Sequence, residues 1–148
     1  MKDKFRKFLK SNGYLPLSLW NSFKLEHGIE NKEISEFMKS VVGTNSGLYI
    51  YKKNNRILYV GKAKSLFDRV KSHLRESYEK VPGDTKYNTW HKFFSSRRNK
   101  GLVKIFWKEV SEESSRQILE KMLSEVLSPE FEKFRKQLEK QSRPNPPK

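Results

Sequence analysis

The spacing of hydrophobic positions along the chain changes once, at Gly47. Before it, the apolar residues recur at helical intervals. Phe5, Phe8 and Leu9 mark one face. Leu19, Trp20 and Phe23 mark a second, which stops at Gly28. A third begins at an Asn31 cap, runs through Ile34, Phe37, Met38, Val41 and Val42, and stops at Gly43. Residues 1–46 therefore read as a helical extension. From Gly47 the pattern shortens to that of strands: Gly47-Leu48-Tyr49-Ile50-Tyr51 and Ile57-Leu58-Tyr59-Val60-Gly61 are rich in β-branched and aromatic residues. The asparagines between them tolerate positive φ, so the two runs form a hairpin. Ser65 caps a helix carrying Leu66, Phe67, Val70 and Leu74. A second helix is expected over Tyr87–Arg98 and a third strand over Leu102–Val110, with Val103, Ile105 and Trp107 on one face. Residues 112–127 should be helical with Ile118, Leu119, Met122, Leu123, Val126 and Leu127 inward, and Ser128-Pro129 opens a last helix through Phe131, Phe134 and Leu138.

The hairpin can be read more finely, because side chains alternate across a sheet. For Leu48, Ile50, Leu58 and Val60 all to point at a core, the loop must have odd length. A three-residue loop pairs Tyr51 with Tyr59 and sets Tyr49 beside them, so the phenols share the opposite, polar face. The expected fold is thus α/β (α+β): a three-stranded antiparallel sheet flanked by helices, with an N-terminal helical extension. Its parts are 1–46, a domain over 47–140 and a disordered tail over 141–148.

Charge narrows the function. The 148 residues include 32 Lys and Arg against 17 Asp and Glu, a net charge of +15. Between Lys52 and Lys108 there are 16 basic and 4 acidic residues, a surplus of 12, while 1–46 carries only +3. A field so concentrated recruits polyanions by counterion release. No helix pairs a strong basic face with an exposed apolar one, which disfavours a membrane surface. No cysteine is present, which excludes disulfides and thiolate metal sites and fits a reducing compartment. No apolar run has the length of a membrane span and the basic N-terminus lacks a signal-like stretch, so a soluble, cytoplasmic protein is expected.

Charge alone leaves catalysis open, and the residues after the hairpin bear on it. Lys62 follows Gly61, and Arg69 and His73 lie four apart on the helix face opposite its apolar stripe. Glu120 falls at the edge of a later apolar arc. Hydrolysis of a phosphodiester needs a base for water, a cation for developing charge and a Lewis acid for the oxygens, and these residue types supply them. Singly, each has a plainer reading: Arg69 and His73 as a solvated face, Glu120 as a partner of Lys121 or Arg116. His27 and His91 lie outside the pattern.

Gly47-Leu48-Tyr49 and Tyr59-Val60-Gly61, at this spacing and with Lys62, Arg69, His73 and Glu120 in register, resemble the GIY-YIG endonuclease family. The run from Tyr59 to Leu66 with Arg69 is similar to the incision domain of bacterial excision-repair nucleases. The resemblance spans 47–132. It implies an endonuclease hydrolysing DNA with one Mg²⁺ or Mn²⁺ at Glu120, leaving a 5′-phosphate and a 3′-hydroxyl. Tyr49 would take the proton of the attacking water, its phenolate favoured by Lys62 and the metal. Tyr59 would position water or phosphate, Arg69 would bind the scissile phosphate, and His73 would bond the tyrosine or phosphate. Lys64, Lys71, Arg75, Lys92, Arg97, Arg98 and Lys100 are the expected contacts to DNA, branched or damaged forms included. The family's Asn in the Pro-x-Phe-Asn run is replaced by Glu132, a carboxylate that cannot donate. A catalytically silent nucleic-acid-binding module is the competing reading, and a basic structural protein of a nucleoprotein complex a third. Monomer and homodimer both remain open.

Overall fold

The computed structural model describes residues 1–31, 33–79 and 85–142. Its element order is α1 (Lys2–Ser11), β1 (Asn21–His27), α2 (Ser35–Val42), β2 (Gly47–Lys53), β3 (Arg56–Ala63), α3 (Leu66–Tyr78), α4 (Thr85–Ser95), β4 (Gly101–Glu109), α5 (Glu113–Leu127) and α6 (Glu130–Ser142). The α+β class is as expected, but the sheet has four antiparallel strands rather than three, in the order β1-β4-β2-β3. The added strand comes from the segment read as helical. Phe23, Leu25 and His27 are buried while Ser22, Lys24 and Glu26 are exposed. That is the two-residue period of a half-buried strand. Leu19 and Trp20, which suggested a helix, precede it in a short 3₁₀ turn and an extended cap. Because β1 pairs with β4 along its whole length, residues 1–46 are not a purely helical extension.

Helices cover both faces of the sheet. On the first face, Phe23, Leu25, Tyr49, Tyr51, Val103, Ile105 and Trp107 pack with Met38, Val70, Trp90, Phe94 and Phe131 of the helices. On the second, Leu48, Ile50, Val60 and Phe106 pack with Leu9 of α1 and Leu119, Leu123 and Val126 of α5. The tyrosine face is therefore a core and not an open polar surface: Tyr49 and Tyr51 are 0% exposed.

The hairpin pairs Tyr51 with Tyr59, as the alternation argument required, but by another route. Lys53 pairs with Arg56 around Asn54-Asn55, and the register shifts beyond Lys52. A two-residue turn plus a bulge gives the odd offset that a three-residue loop would have given. Asn54 takes the positive φ, 56°. The bulge moves one residue across the sheet: Leu58 joins the tyrosine side, and Ile57 packs against the Leu48–Ile50–Val60 side in its place.

Smaller departures follow the same logic. Asn31 accepts a bond from the Glu33 amide, 3.2 Å, and the helix starts only at Ser35. Helix α4 ends at Ser95, so Arg97, Arg98 and Lys100 belong to the following turn. Ile118, expected inward, is 62% exposed. Ser65 caps α3 as expected, accepting from the Asp68 amide at 3.3 Å. Helix α6 runs to Ser142, two residues into the segment expected to be disordered; residues 143–148 lie outside the described residues. No described helix is long and apolar enough to cross a membrane.

Candidate active site at the tyrosine face

The two signature glycines are required by contact. A Cβ on Gly61 would lie 2.4 Å from Cζ of Tyr49 and 2.7 Å from Cε2 of Tyr59. One on Gly47 would lie 2.1 Å from the Lys108 carbonyl oxygen. Gly61 faces Tyr49 across the hairpin, so its missing side chain is the space the phenol ring fills. The ring centroids of Tyr49 and Tyr59 are 5.8 Å apart, and those of Tyr49 and Tyr51 5.9 Å.

Helix α3 brings its polar face to this cluster. The Tyr49 hydroxyl is 2.8 Å from Nε2 of His73. Arg69 and Tyr59 lie close enough to act on that hydroxyl electrostatically. His73 is itself held on several sides. Its Nδ1 is 3.4 Å from a Glu76 carboxylate oxygen. Its ring stacks on Trp90 at 3.9 Å and 17°, and the Trp90 indole donates to the His73 carbonyl at 2.8 Å. Phe131 packs against Tyr59 and Trp90, at 5.5 and 5.1 Å.

Lys62 of β3 and Glu120 of α5 meet beside the cluster, Nζ to Oε2 3.6 Å, with the Glu120 side chain 30% exposed. Neither Lys121 nor Arg116 takes that role: Arg116 donates to the Val110 and Ser111 carbonyls at 2.9 and 2.8 Å. Glu132 lies close enough to act on Tyr59, as Glu120 does. Glu132 also takes a bond from Arg135 at 2.9 Å.

Electrostatics assign the protons. Burial pushes the Tyr49 phenol well above its ordinary value; Tyr59 and Tyr51 add to this, and only Arg69 opposes it. Burial likewise raises Tyr59, aided by Glu120 and Glu132 and opposed by Tyr49 and Arg69. The cation bearing on Tyr49 is thus Arg69, while the expected helper, Lys62, is paired with Glu120. Tyr49 is a neutral phenol whose hydroxyl lies 2.8 Å from a histidine nitrogen.

Of the expected set, Tyr49, Tyr59, Arg69 and His73 are brought into one network, with Lys62 and Glu120 at its edge. The expected DNA contacts are split. Lys71 and Arg75 line a groove with Asn31, Ser35 and Asp68, between α2 and α3. At 100° per residue they point away from the Arg69–His73 face. Lys64 and Lys92 are exposed. Arg98 lies 3.7 Å from Glu130, and the turn holding Arg97, Arg98 and Lys100 is tied down by Arg56, which donates to Asn99 at 2.8 Å. Glu76 and Trp90 were missed. Glu76 continues the 69–73 face by helical spacing and could have been found; nothing in the local sequence marks Trp90 as the residue beneath His73.

Residues 45–90 match the family model described as the UvrC-like GIY-YIG domain. Over those residues the signature geometry and the family model agree on a UvrC-like GIY-YIG domain. The curated relatives are UvrABC system proteins C. That of Fusobacterium nucleatum subsp. nucleatum is 51% identical over 35 residues, covering 24% of this chain and 6% of the relative. That of Prochlorococcus marinus subsp. pastoris is 36% identical over 63 residues, covering 41% and 10%. The chain thus spans a small fraction of either relative's length. Among solved structures, the GIY-YIG N-terminal endonuclease domain of UvrC from Thermotoga maritima bound to magnesium is similar at TM-score 0.45 and 24% identity, covering 68% of this chain and 98% of that one. A point mutant of the same domain with its catalytic divalent cation scores 0.45 at 22% identity, covering 69% and 97%.

Proposed function

We propose that this protein is a metal-dependent endonuclease that hydrolyses the phosphodiester backbone of DNA. The observation that carries the reading is the buried Tyr49 hydroxyl, 2.8 Å from Nε2 of His73 and under the electrostatic influence of Arg69 and Tyr59. With the His73 proton on Nδ1, toward Glu76, Nε2 accepts from Tyr49. As water attacks phosphorus, Tyr49 takes a proton from the water and passes its own to His73; the bond from phosphorus to the 3′ oxygen breaks, and that oxygen takes a proton from solvent, giving a 3′-hydroxyl and a 5′-phosphate. The histidine relay lets a phenol too weakly acidic to ionise in its pocket serve as a base. Arg69 offers a planar donor fork to the phosphate as its charge grows, and Tyr59 orients the water or a phosphate oxygen.

A hard cation fits the carboxylate at the edge of the cluster. Among the described residues no group of three or more His, Asp or Glu converges on a metal site. Glu120 would hold one Mg²⁺ or Mn²⁺ alone or with Glu132, water and phosphate oxygens completing the shell, as is usual for such ions. Bound there, the ion would supply Lewis-acid stabilisation of the phosphate. Lys62 then acts as the counter-charge that orients Glu120.

The relatives are components of a UvrABC system; for this chain the proposal extends to incision of DNA, with branched and damaged duplexes among the substrates to test. Plasmid nicking with Mg²⁺ or EDTA decides it. Wild-type protein should nick only with the metal, and Glu120→Ala should abolish nicking while duplex binding persists. Full metal-dependent nicking by Glu120→Ala would overturn the assignment of Glu120. The silent-module reading draws on Glu132 alone; binding without nicking under every condition would establish it.

A further inference from the structure

The second face of the sheet carries a feature that the tyrosine site does not use. Lys104 of β4 stands directly opposite Lys24 of β1 on one side and Lys52 of β2 on the other. The three lysines form one row across three strands, about 10 Å wide at about 4.8 Å per strand. Like charges directly opposite one another destabilise a sheet, and no described residue lining this row offsets them. The row floors a cavity of ≈ 320 Å³ lined by Lys24, Lys52, Lys53, Asn54, Leu102, Lys104 and Phe106, without a carboxylate. Glu26, the acidic residue on the same side of β1, lies opposite Leu102 and outside this lining. Helices α1 and α5 cover Leu48, Ile50 and Phe106, whereas Leu102 is 52% exposed and Lys24 and Lys104 are exposed. Lys104 is supported from below by the Phe106 ring, 5.0 Å from Nζ to centroid.

We propose that this row is a second phosphate-binding groove, which takes the backbone of duplex DNA at a point other than the strand presented to Tyr49. The inference rests on the reading that the chain acts on DNA. Charge complementarity selects the occupant: a row of ammonium groups flooring a cavity matches a line of phosphates, and Asn54 in the lining adds an amide donor. Since the tyrosine cluster lies across the sheet, the groove anchors DNA without entering the chemistry.

The test compares full-length wild type with the triple variant Lys24→Gln, Lys52→Gln, Lys104→Gln. Binding of a labelled duplex is followed against salt, with thermal melting and single-turnover cleavage at saturating enzyme measured alongside. At about 0.9 per phosphate contact, the log–log salt slope should fall by about 2.7. The melting temperature should rise as like-charge contacts are removed, and the saturated cleavage rate should hold. An unchanged salt slope, or a fall in melting temperature, would overturn the proposal. So would a site that serves only a free anion, seen as inorganic phosphate raising the wild-type but not the variant melting temperature with equal duplex slopes. So too would a lipid site, seen as anionic phospholipid vesicles losing affinity for the variant while duplex slopes stay equal. If wild type never cleaves but the slope still drops, the nuclease reading fails and the groove stands.

Discussion

Removing a single oxygen tests whether the Tyr49 network is chemical or only structural. Tyr49→Phe deletes a hydroxyl that is wholly buried and 2.8 Å from His73 Nε2. A net hydrogen bond contributes about 1 kcal/mol, and stranding its buried partner costs about 1–3 kcal/mol, partly offset because the hydroxyl no longer has to be desolvated. A net loss of about 1–2 kcal/mol corresponds to a fall of roughly 2–8 °C in melting temperature for a domain this size. The chemical step should suffer more. Loss of a general base slows a reaction about 10²–10⁴-fold, or about 3–5 kcal/mol of barrier. Tyr51→Phe is the matched control: the same oxygen on the neighbouring strand position, equally buried, but with no hydrogen-bond partner. Deleting it removes a buried unpaired group, so stability should hold or rise and the rate should not change. The assay is single-turnover cleavage of duplex DNA at saturating enzyme with Mg²⁺, paired with thermal melts of both variants. Cleavage by Tyr49→Phe within about threefold of wild type would refute the relay, as would an equal loss of rate in both variants.

Further outcomes separate the remaining roles. Arg69→Ala should slow the saturated single-turnover rate about 10²–10³-fold. Neutralising Arg97 and Arg98 together should leave that rate intact and lower the salt slope by about 0.9–1.8, the lower bound because Arg98 already faces Glu130; the opposite pattern would invert the division between chemistry and grip. Burial depresses His27 from 6.5 to about 3. Its folded value is thus below its unfolded one, so the stability is complete above pH 6.5 and falls by about 1.4 kcal/mol per pH unit as pH drops from 6.5 toward 3. Urea midpoints at pH 7.5 and 5 should show this slope in wild type and lose it in His27→Phe; an equal slope in both would exonerate His27. Glu132→Asn removes a negative charge acting on Tyr59 and adds a donor, so metal-dependent cleavage should rise about tenfold, about 1.4 kcal/mol of barrier, and a fall would show that the carboxylate is used.

Much of the fold was legible because local pattern and tertiary burial agreed. Tyr51 faces Tyr59, Val103, Ile105 and Trp107 share a face, and Ser65 starts its helix, each from a rule that acts within one element. Asn21–His27 was misread for a reason visible in its own residues. Trp20 and Phe23 satisfy a helical interval, but Lys24 and Glu26 alternate with Phe23 and Leu25, and buried His27 completes the period of two. A polar residue at the third inward position hid the strand. The bulge at Leu58 was invisible because a two-residue turn with one extra residue and a three-residue loop leave the same parity; only the fate of Leu58 and Ile57 tells them apart.

The site was legible as a list of residues and less so as a mechanism, and the difference lies in what covers the tyrosines. Alternation alone says that Tyr49, Tyr51 and Tyr59 share a face; it cannot say that Trp90, Phe94 and Phe131 close over that face. On an open face, a nearby lysine and solvent could ionise a phenol, which is the role the sequence suggested for Lys62. Under a lid of aromatic rings, burial drives the Tyr49 phenol upward, and Lys62 is turned to Glu120. A buried phenol can act as a base only if its proton leaves along a fixed path as another arrives. The group aligned for that is His73 Nε2 at 2.8 Å, held from behind by Glu76 and from the side by Trp90. In the proposed mechanism, the packing that makes Tyr49 a poor base in isolation also fixes the partner that would make it a usable one, which is how Glu76 and Trp90 enter the proposal although neither appears in the signature.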